Sequence, residues 1–177
     1  ILLVAGILVF INIVGPFFYG PWALPEEKGF PLPPATAEIV SKVPDVILVR
    51  VLLEGEFPAG FKRLQQSTKE MLDQFASLSG YIEYEFEDPN AGTIQEINAR
   101  REELRKDGLV PTNLFVRSGS ENKEQIIYPY AIFSFGERSI AVNLLESSAD
   151  QDQETNLSNS ISLLEYKFAN AIQKLQY

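Results

Sequence analysis

Residues 1–19 of this chain read ILLVAGILVFINIVGPFFY and carry no charge. Coiled as a helix, 19 residues span about 28 Å, close to the roughly 30 Å hydrocarbon core of a bilayer. The sequence therefore predicts an N-terminal transmembrane helix over residues 1–19. A cleaved signal peptide is the competing reading, but its apolar core is only about 7–15 residues long, and no small-x-small cleavage site follows Tyr19. Gly15-Pro16 lies near one end, where a helix break is least costly, and Tyr19 and Trp22 suit the aromatic belt of a membrane interface. That end is expected to be the exit. Asn12 is the one strongly polar side chain in the stretch. It is a candidate hydrogen-bonding contact to a neighbouring membrane helix, or else a tolerated single amide.

Residues 20–34, GPWALPEEKGFPLPP, are dense in proline and glycine and have no apolar period, which predicts an extended, semi-rigid stalk. The remaining residues, 35–177, suffice for one domain with an ordinary core. The chain does not begin with methionine and closes inside a periodic helical stretch, so further protein is expected on both sides.

Within 35–177 the periods alternate. ATAEIVSKV is a short helix with an apolar edge at Ile39, Val40 and Val43, stopped by Pro44. VILVRVLL, residues 46–53, is a near-continuous apolar run, the pattern of a central strand buried on both faces. A helix with Phe61, Leu64, Met71, Leu72, Phe75 and Leu78 near a 3.6 period comes next, with Gly80 as its expected stop. YIEYEFE, residues 81–87, alternates strictly and predicts a strand with Ile82, Tyr84 and Phe86 on one face and glutamates on the other. After the turn Asp88-Pro89-Asn90-Ala91-Gly92, Thr93 and Glu96 form a capping box opening a second helix that runs to Asp107-Gly108. Then come a short strand NLFVR, a polar hairpin-like loop SGSENKEQ, and strands IIYPYAIFSF and RSIAVNLL, with Pro129 at an edge or bulge position of the first. An acidic loop precedes one last helix, in which Leu157, Ile161, Leu164, Phe168, Ile172 and Leu175 recur at three- and four-residue spacing.

This β-α-β-α-β-β-α order is that of the thioredoxin-like fold, so the expected class is α/β: a transmembrane helix followed by a thioredoxin-like domain. In that fold the strand after the second helix is entered through a cis-proline, and Val110-Pro111-Thr112 resembles that entry, so the Val110–Pro111 bond is predicted to be cis. The redox dithiol would sit where this chain has Gly55-Glu56-Phe57-Pro58. There is no cysteine and no histidine, which excludes thiolate and imidazole catalysis, disulfides, and metal sites built from those ligands. No cofactor is expected and an enzymatic role is not. With 24 acidic against 15 basic residues, a net charge of -9, the long-range field repels phosphate backbones, and nucleic acid is not an expected partner.

The apolar stretch with its Phe-Phe-Tyr exit, VRVLLEGEFPAGFKRLQQSTKEMLDQF, YIEYEFEDPN and LEYKFANAIQKL together resemble the gliding-motility-associated ABC transporter auxiliary protein family GldG. The likeness covers essentially the whole chain, and FPAGFKRLQ and LEYKFANAI are its most specific parts. It implies the N-terminal portion of a longer accessory subunit, anchored in the bacterial inner membrane with its domain in the periplasm, working with an ABC permease and a cytoplasmic ATPase. One departure is Pro33, where the family usually has a serine before the first short helix. A membrane-tethered solute-binding domain that presents a ligand to the permease is the alternative reading.

Three groups of residues stand out as candidate sites. Phe57, Pro58 and Phe61, at the place where thioredoxins bind substrate, are a candidate partner-binding patch; Phe61 equally fits the core face. Arg100, Arg101 and Arg105, with Lys106, are a candidate docking patch of planar donors, or equally cations late in a helix that favour its dipole. Glu83, Glu85 and Glu87, with Asp88, are what a hard cation would require, although a solvated strand face explains them better. Asp150 to Glu154 resembles the opening of a calcium loop, but Thr155 stands where glycine is needed and Ile161 at the twelfth position, so a flexible acidic loop is expected.

Overall fold

A computed structural model describes residues 32–176 of the chain. Residues 1–19, with Asn12, and most of the stalk lie outside the described residues. Pro34–Tyr177 form one compact unit, which holds all the described helices and strands. Its elements run α1 Pro34–Ser41, β1 Ile47–Val51, α2 Ala59–Leu78, β2 Ile82–Phe86, α3 Ile94–Lys106, β3 Thr112–Ser118, β4 Glu121–Ile127, β5 Tyr130–Phe135, β6 Arg138–Asn143, α4 Gln153–Ser162 and α5 Leu164–Gln176.

Four strands form one sheet in the order β2-β1-β5-β6. β1 and β2 are parallel, with α2 as the crossover that parallel neighbours require, and β5 and β6 join antiparallel through a tight turn in which Gly136 takes a φ of 61°. Val49 pairs with Phe133 and Val51 with Ala131 on the face that receives the helices. There Phe168 of α5 lies 5.2 Å from Phe133 and meets Phe75 of α2 edge-on at 6.2 Å, and all three rings are fully buried. Leu64, Leu72, Leu164 and Ile172 complete this core. The opposite face is covered only in part, by a cluster of Leu52, Leu104, Leu109 and Tyr128 against which Ile126, Tyr130 and Ile132 pack.

The domain is a mixed α/β unit, but the expected fold class is corrected in several respects. No helix of the described residues is long and apolar enough to cross a membrane. The thioredoxin-like order β-α-β-α-β-β-α gives way to six strands and five helices among the described residues, with β3 and β4 paired only with each other as a separate two-stranded ribbon. No peptide bond in the described residues is cis, so Val110–Pro111 is trans and the specific argument for a thioredoxin-like entry is lost.

The deviations have local causes. SGSENKEQ lacks an apolar period and so reads as a loop, yet Gly119 adopts a φ of 66° and turns the chain so that Thr112 to Ser118 pair with Ile127 to Glu121 in an unbroken ladder. Only the inner positions of the ribbon are covered, Leu114 and Ile127 being buried and Ile126 packed against the Leu104 cluster, while Glu121 to Glu124 are exposed and carry no apolar period. The expected strand IIYPYAIFSF is cut at Pro129, which has no N–H to give. Its carbonyl accepts from Leu144 N at 2.7 Å, while Tyr130 N folds back to Tyr128 O at 2.8 Å. The single closing helix is interrupted at Leu163. Ser160 and Ser162 hydroxyls donate back to the carbonyls of Asn156 and Ser158 at 2.7 and 2.9 Å, a pattern that bends helices.

Two smaller expectations also change. α2 stops through Ser79, an extended residue whose N–H reaches Phe75 O, and Gly80 has no left-handed conformation. β1 is not buried on both faces: Ile47, Val49 and Val51 are fully buried while Leu48 and Arg50 are only half so.

Candidate functional site at the carboxyl ends of the parallel strands

Because β1 and β2 run parallel, the chain leaves both at the same rim, through residues 52–58 and 87–93. In open α/β sheets this rim is where ligands gather. Here it is filled by the protein itself. Asp88 Oδ1 accepts from Asn90 N at 2.9 Å and shapes the turn. Arg100, rising from α3, aims Nη1 at the carbonyls of Pro89 (2.8 Å), Ala91 (3.0 Å) and Asp88 (3.4 Å). One nitrogen has two hydrogens, so the first two are the working bonds. Arg101 Nη2 donates to Asn90 Oδ1 at 2.7 Å, and Asn90 Nδ2 donates onward to Ile126 O at 2.7 Å. Gln125 Nε2 donates to Glu56 O at 2.6 Å. The last two bonds bolt the β3–β4 ribbon to both loops of the rim.

The placement of α3 is set by its cap. Thr93 accepts from Glu96 N and Glu96 answers to Thr93 N, the reciprocal box expected from the sequence. Leu104 is the one buried residue of this helix, so α3 is held largely by that box, by Leu104 and by the arginine bonds.

Arg50 and Glu87 form a forked pair across the β1–β2 rim, Nε to Oε1 at 3.1 Å and Nη2 to Oε2 at 2.8 Å. Hydrogen bonding to Arg50 holds the Glu87 carboxyl below its ordinary range, and the same bond raises the guanidinium. Burial raises the Tyr128 hydroxyl, and the nearby Arg101 charge opposes that shift. Arg101 Nε is buried and has no hydrogen-bond partner.

The residues singled out from sequence are thus scattered. Phe57 and Phe61 point inward, 8% and 2% exposed, and so form no surface patch; Pro58 is half-buried at the N-cap of α2. Arg100 and Arg101 serve the rim, whereas Arg105 is exposed and pairs with Glu102 within its own helix at 2.6 Å. Glu87 is turned to Arg50, Glu83 and Glu85 are exposed, and among the described residues no three acidic groups converge as a metal site would require. In the acidic loop, Asp152 accepts from Thr155 N at 2.7 Å and caps α4.

Sequence reasoning missed the Arg50–Glu87 fork, the bolts at Asn90 and Gln125, and Phe115, which stands 77% exposed on β3. Arg50 carried a signal: a lone cation in an apolar strand asks for a carboxylate on the neighbouring strand, and YIEYEFE offers three. Residues 26–134 match a family described as a domain of unknown function, DUF7088. The match ends inside β5 and leaves out β6, α4 and α5. No curated protein and no solved structure is significantly similar to the chain. With well over half of its length inside the match, the chain belongs to the DUF7088 family.

Proposed function

We propose that this chain is a non-catalytic docking module: an accessory subunit of an ABC-type transporter complex linked to gliding motility, with its domain on the periplasmic side of the bacterial inner membrane. The partners, a permease and a cytoplasmic ATPase, come from the likeness of its sequence segments to the GldG family. The observation that carries the docking part of the reading is the state of the β1–β2 rim. The position that an α/β sheet offers to a ligand is taken up by Arg100, Arg101, Asn90 and Gln125 bonding to main chain and to one another. What the domain turns outward is a ribbon with Phe115 on its open face. Exposed aromatics of this kind anchor protein contacts.

Co-purification from detergent extracts, with mass identification of the companions, tests the reading. The permease and ATPase are expected with the wild-type chain and reduced with Phe115→Asp, a change on an exposed side chain that leaves folding intact. Absence of both from the wild-type sample sinks the proposal.

A further inference from the structure

The two edges of the four-stranded sheet are treated differently. At β6, the outer strand on one side, Lys167 Nζ of α5 donates to Asn143 O at 2.8 Å and Arg138 Nη2 of the strand itself donates to Lys174 O of α5 at 3.2 Å, so α5 and these two cations guard that edge. Cations at an edge are a common way to prevent strand addition. Among the described residues β2, the outer strand on the other side, has no such guard. Ile47 N donates to Tyr81 O at 2.8 Å and Glu87 N to Val51 O at 2.9 Å. In the parallel register this turns the odd-numbered main chain of β2 toward β1 and leaves the N–H and C=O of Tyr84 and Phe86 pointing outward.

The side chains flanking this free ladder are sorted by face. Glu83 and Glu85 are exposed on one side. On the other, Tyr84 and Phe86 are half-buried and stacked edge-on with centroids 6.0 Å apart. The Tyr84 hydroxyl donates to Asp73, itself paired with Lys69 at 2.9 Å, so the ring is held in place. A second copy of this chain is a poor occupant. Paired edge to edge, it would set its own glutamates beside these, and like charges on neighbouring strands repel.

We infer that the free edge of β2 receives an extended basic segment of a partner protein, added to the sheet as a further strand. Its lysines or arginines lie beside Glu83 and Glu85, and its alternate apolar residues rest on Tyr84 and Phe86. Main-chain bonds supply affinity in such strand addition, and the alternating side chains supply choice. The inference rests on the docking reading for the existence of a partner, but not on which protein that is.

The test uses the full chain in detergent micelles and two synthetic probes, a peptide alternating lysine with valine and one alternating glutamate with valine. The lysine peptide is expected to bind and to slow amide exchange at Tyr84 and Phe86; the glutamate peptide is not. Glu83→Lys combined with Glu85→Lys, both exposed positions, should reverse the preference by roughly tenfold or more in each direction. The inference is overturned by no binding at millimolar lysine peptide, by equal binding to the charge-reversed chain, or by binding without protection of those two amides. Slow exchange at the edge in a peptide-free sample that sediments as a dimer overturns it too, since a second copy then fills the site. Co-purification run in parallel separates the two claims: missing companions with the wild-type chain defeat the docking reading, while companions retained beside a silent β2 edge defeat only this inference.

Discussion

Replacing Gly60 with alanine sets two opposing effects against each other. Gly60 is the second residue of α2, and a Cβ built there would stand 2.5 Å from Cδ1 of Leu157, which is 2% exposed on α4. Alanine favours the helix over glycine by up to about 1 kcal/mol, and less in a first turn, where the helix is only half made. Against this, carbon atoms prefer a separation of about 3.5–4.0 Å, so Leu157 or the whole of α4 must retreat by roughly an ångström. Forcing a methyl into a packed interface costs about 1–3 kcal/mol. The overpacking wins, and Gly60→Ala is expected to destabilise the domain by about 0.5–2 kcal/mol. A companion variant separates the two effects. Leu157→Ala alone should cost about 2–5 kcal/mol through the cavity it leaves. In the double variant the new methyl enters that cavity, so the double should be more stable than the sum of the two losses by about 1–3 kcal/mol. Urea midpoints followed by circular dichroism measure all four corners, with an unchanged slope as the check on two-state behaviour. If Gly60→Ala raises the midpoint and the two changes add without coupling, the close approach of α2 and α4 is wrong.

Three further outcomes are expected. The lowered Glu87 carboxyl makes the Arg50 fork a source of stability that is complete above the unfolded-state glutamate pKa of about 4.3 and is lost as pH falls through the lower folded value; Glu87→Gln should therefore flatten the acid limb of a stability-versus-pH curve and leave its slope near neutrality unchanged. Arg100→Ala should cost about 1.5–3 kcal/mol, because the Pro89 and Ala91 carbonyls lose their charged donor, and Arg100→Lys should not restore it fully; urea midpoints compare the three chains. Phe57→Glu should unfold the domain instead of selectively weakening assembly, since the ring it replaces is 8% exposed; a folded variant that merely loses its companions would contradict the burial of Phe57.

Where periodicity is strong, the elements are legible. The alternation of 81–87 becomes β2 with Ile82 buried and Glu83 and Glu85 exposed, and Thr93 with Glu96 closes the capping box. Phe61, Leu64, Leu72 and Phe75 turn to the core as their spacing requires. What stays hidden in the sequence depends on main-chain bonding with no side-chain period behind it. β4 is a strand because Gly119 turns the chain onto β3, not because Glu121 to Gln125 alternate. The break at Leu163 falls inside an unbroken apolar period, because serine hydroxyls compete for carbonyls that periodicity does not register.

The candidate site shows the same limit from the side of residue type. Phe57 and the arginines resemble contacts because aromatic and planar cationic groups so often are, yet short loops at the ends of parallel strands leave carbonyls that the sheet cannot satisfy. Arg100 and Arg101 answer that need, so their chemistry is spent inside the domain. The surfaces that remain are made of main chain: the β3–β4 ribbon and the β2 edge. Open ladders invite self-association, and a domain that keeps them needs a means of refusing its own copies. At β2 the glutamates supply it. A net charge of -9 works in the same direction over longer distances, keeping copies apart while drawing in a basic strand. The acidity that argues against nucleic acid as a partner thus acquires a positive role, as the selectivity of an edge left open.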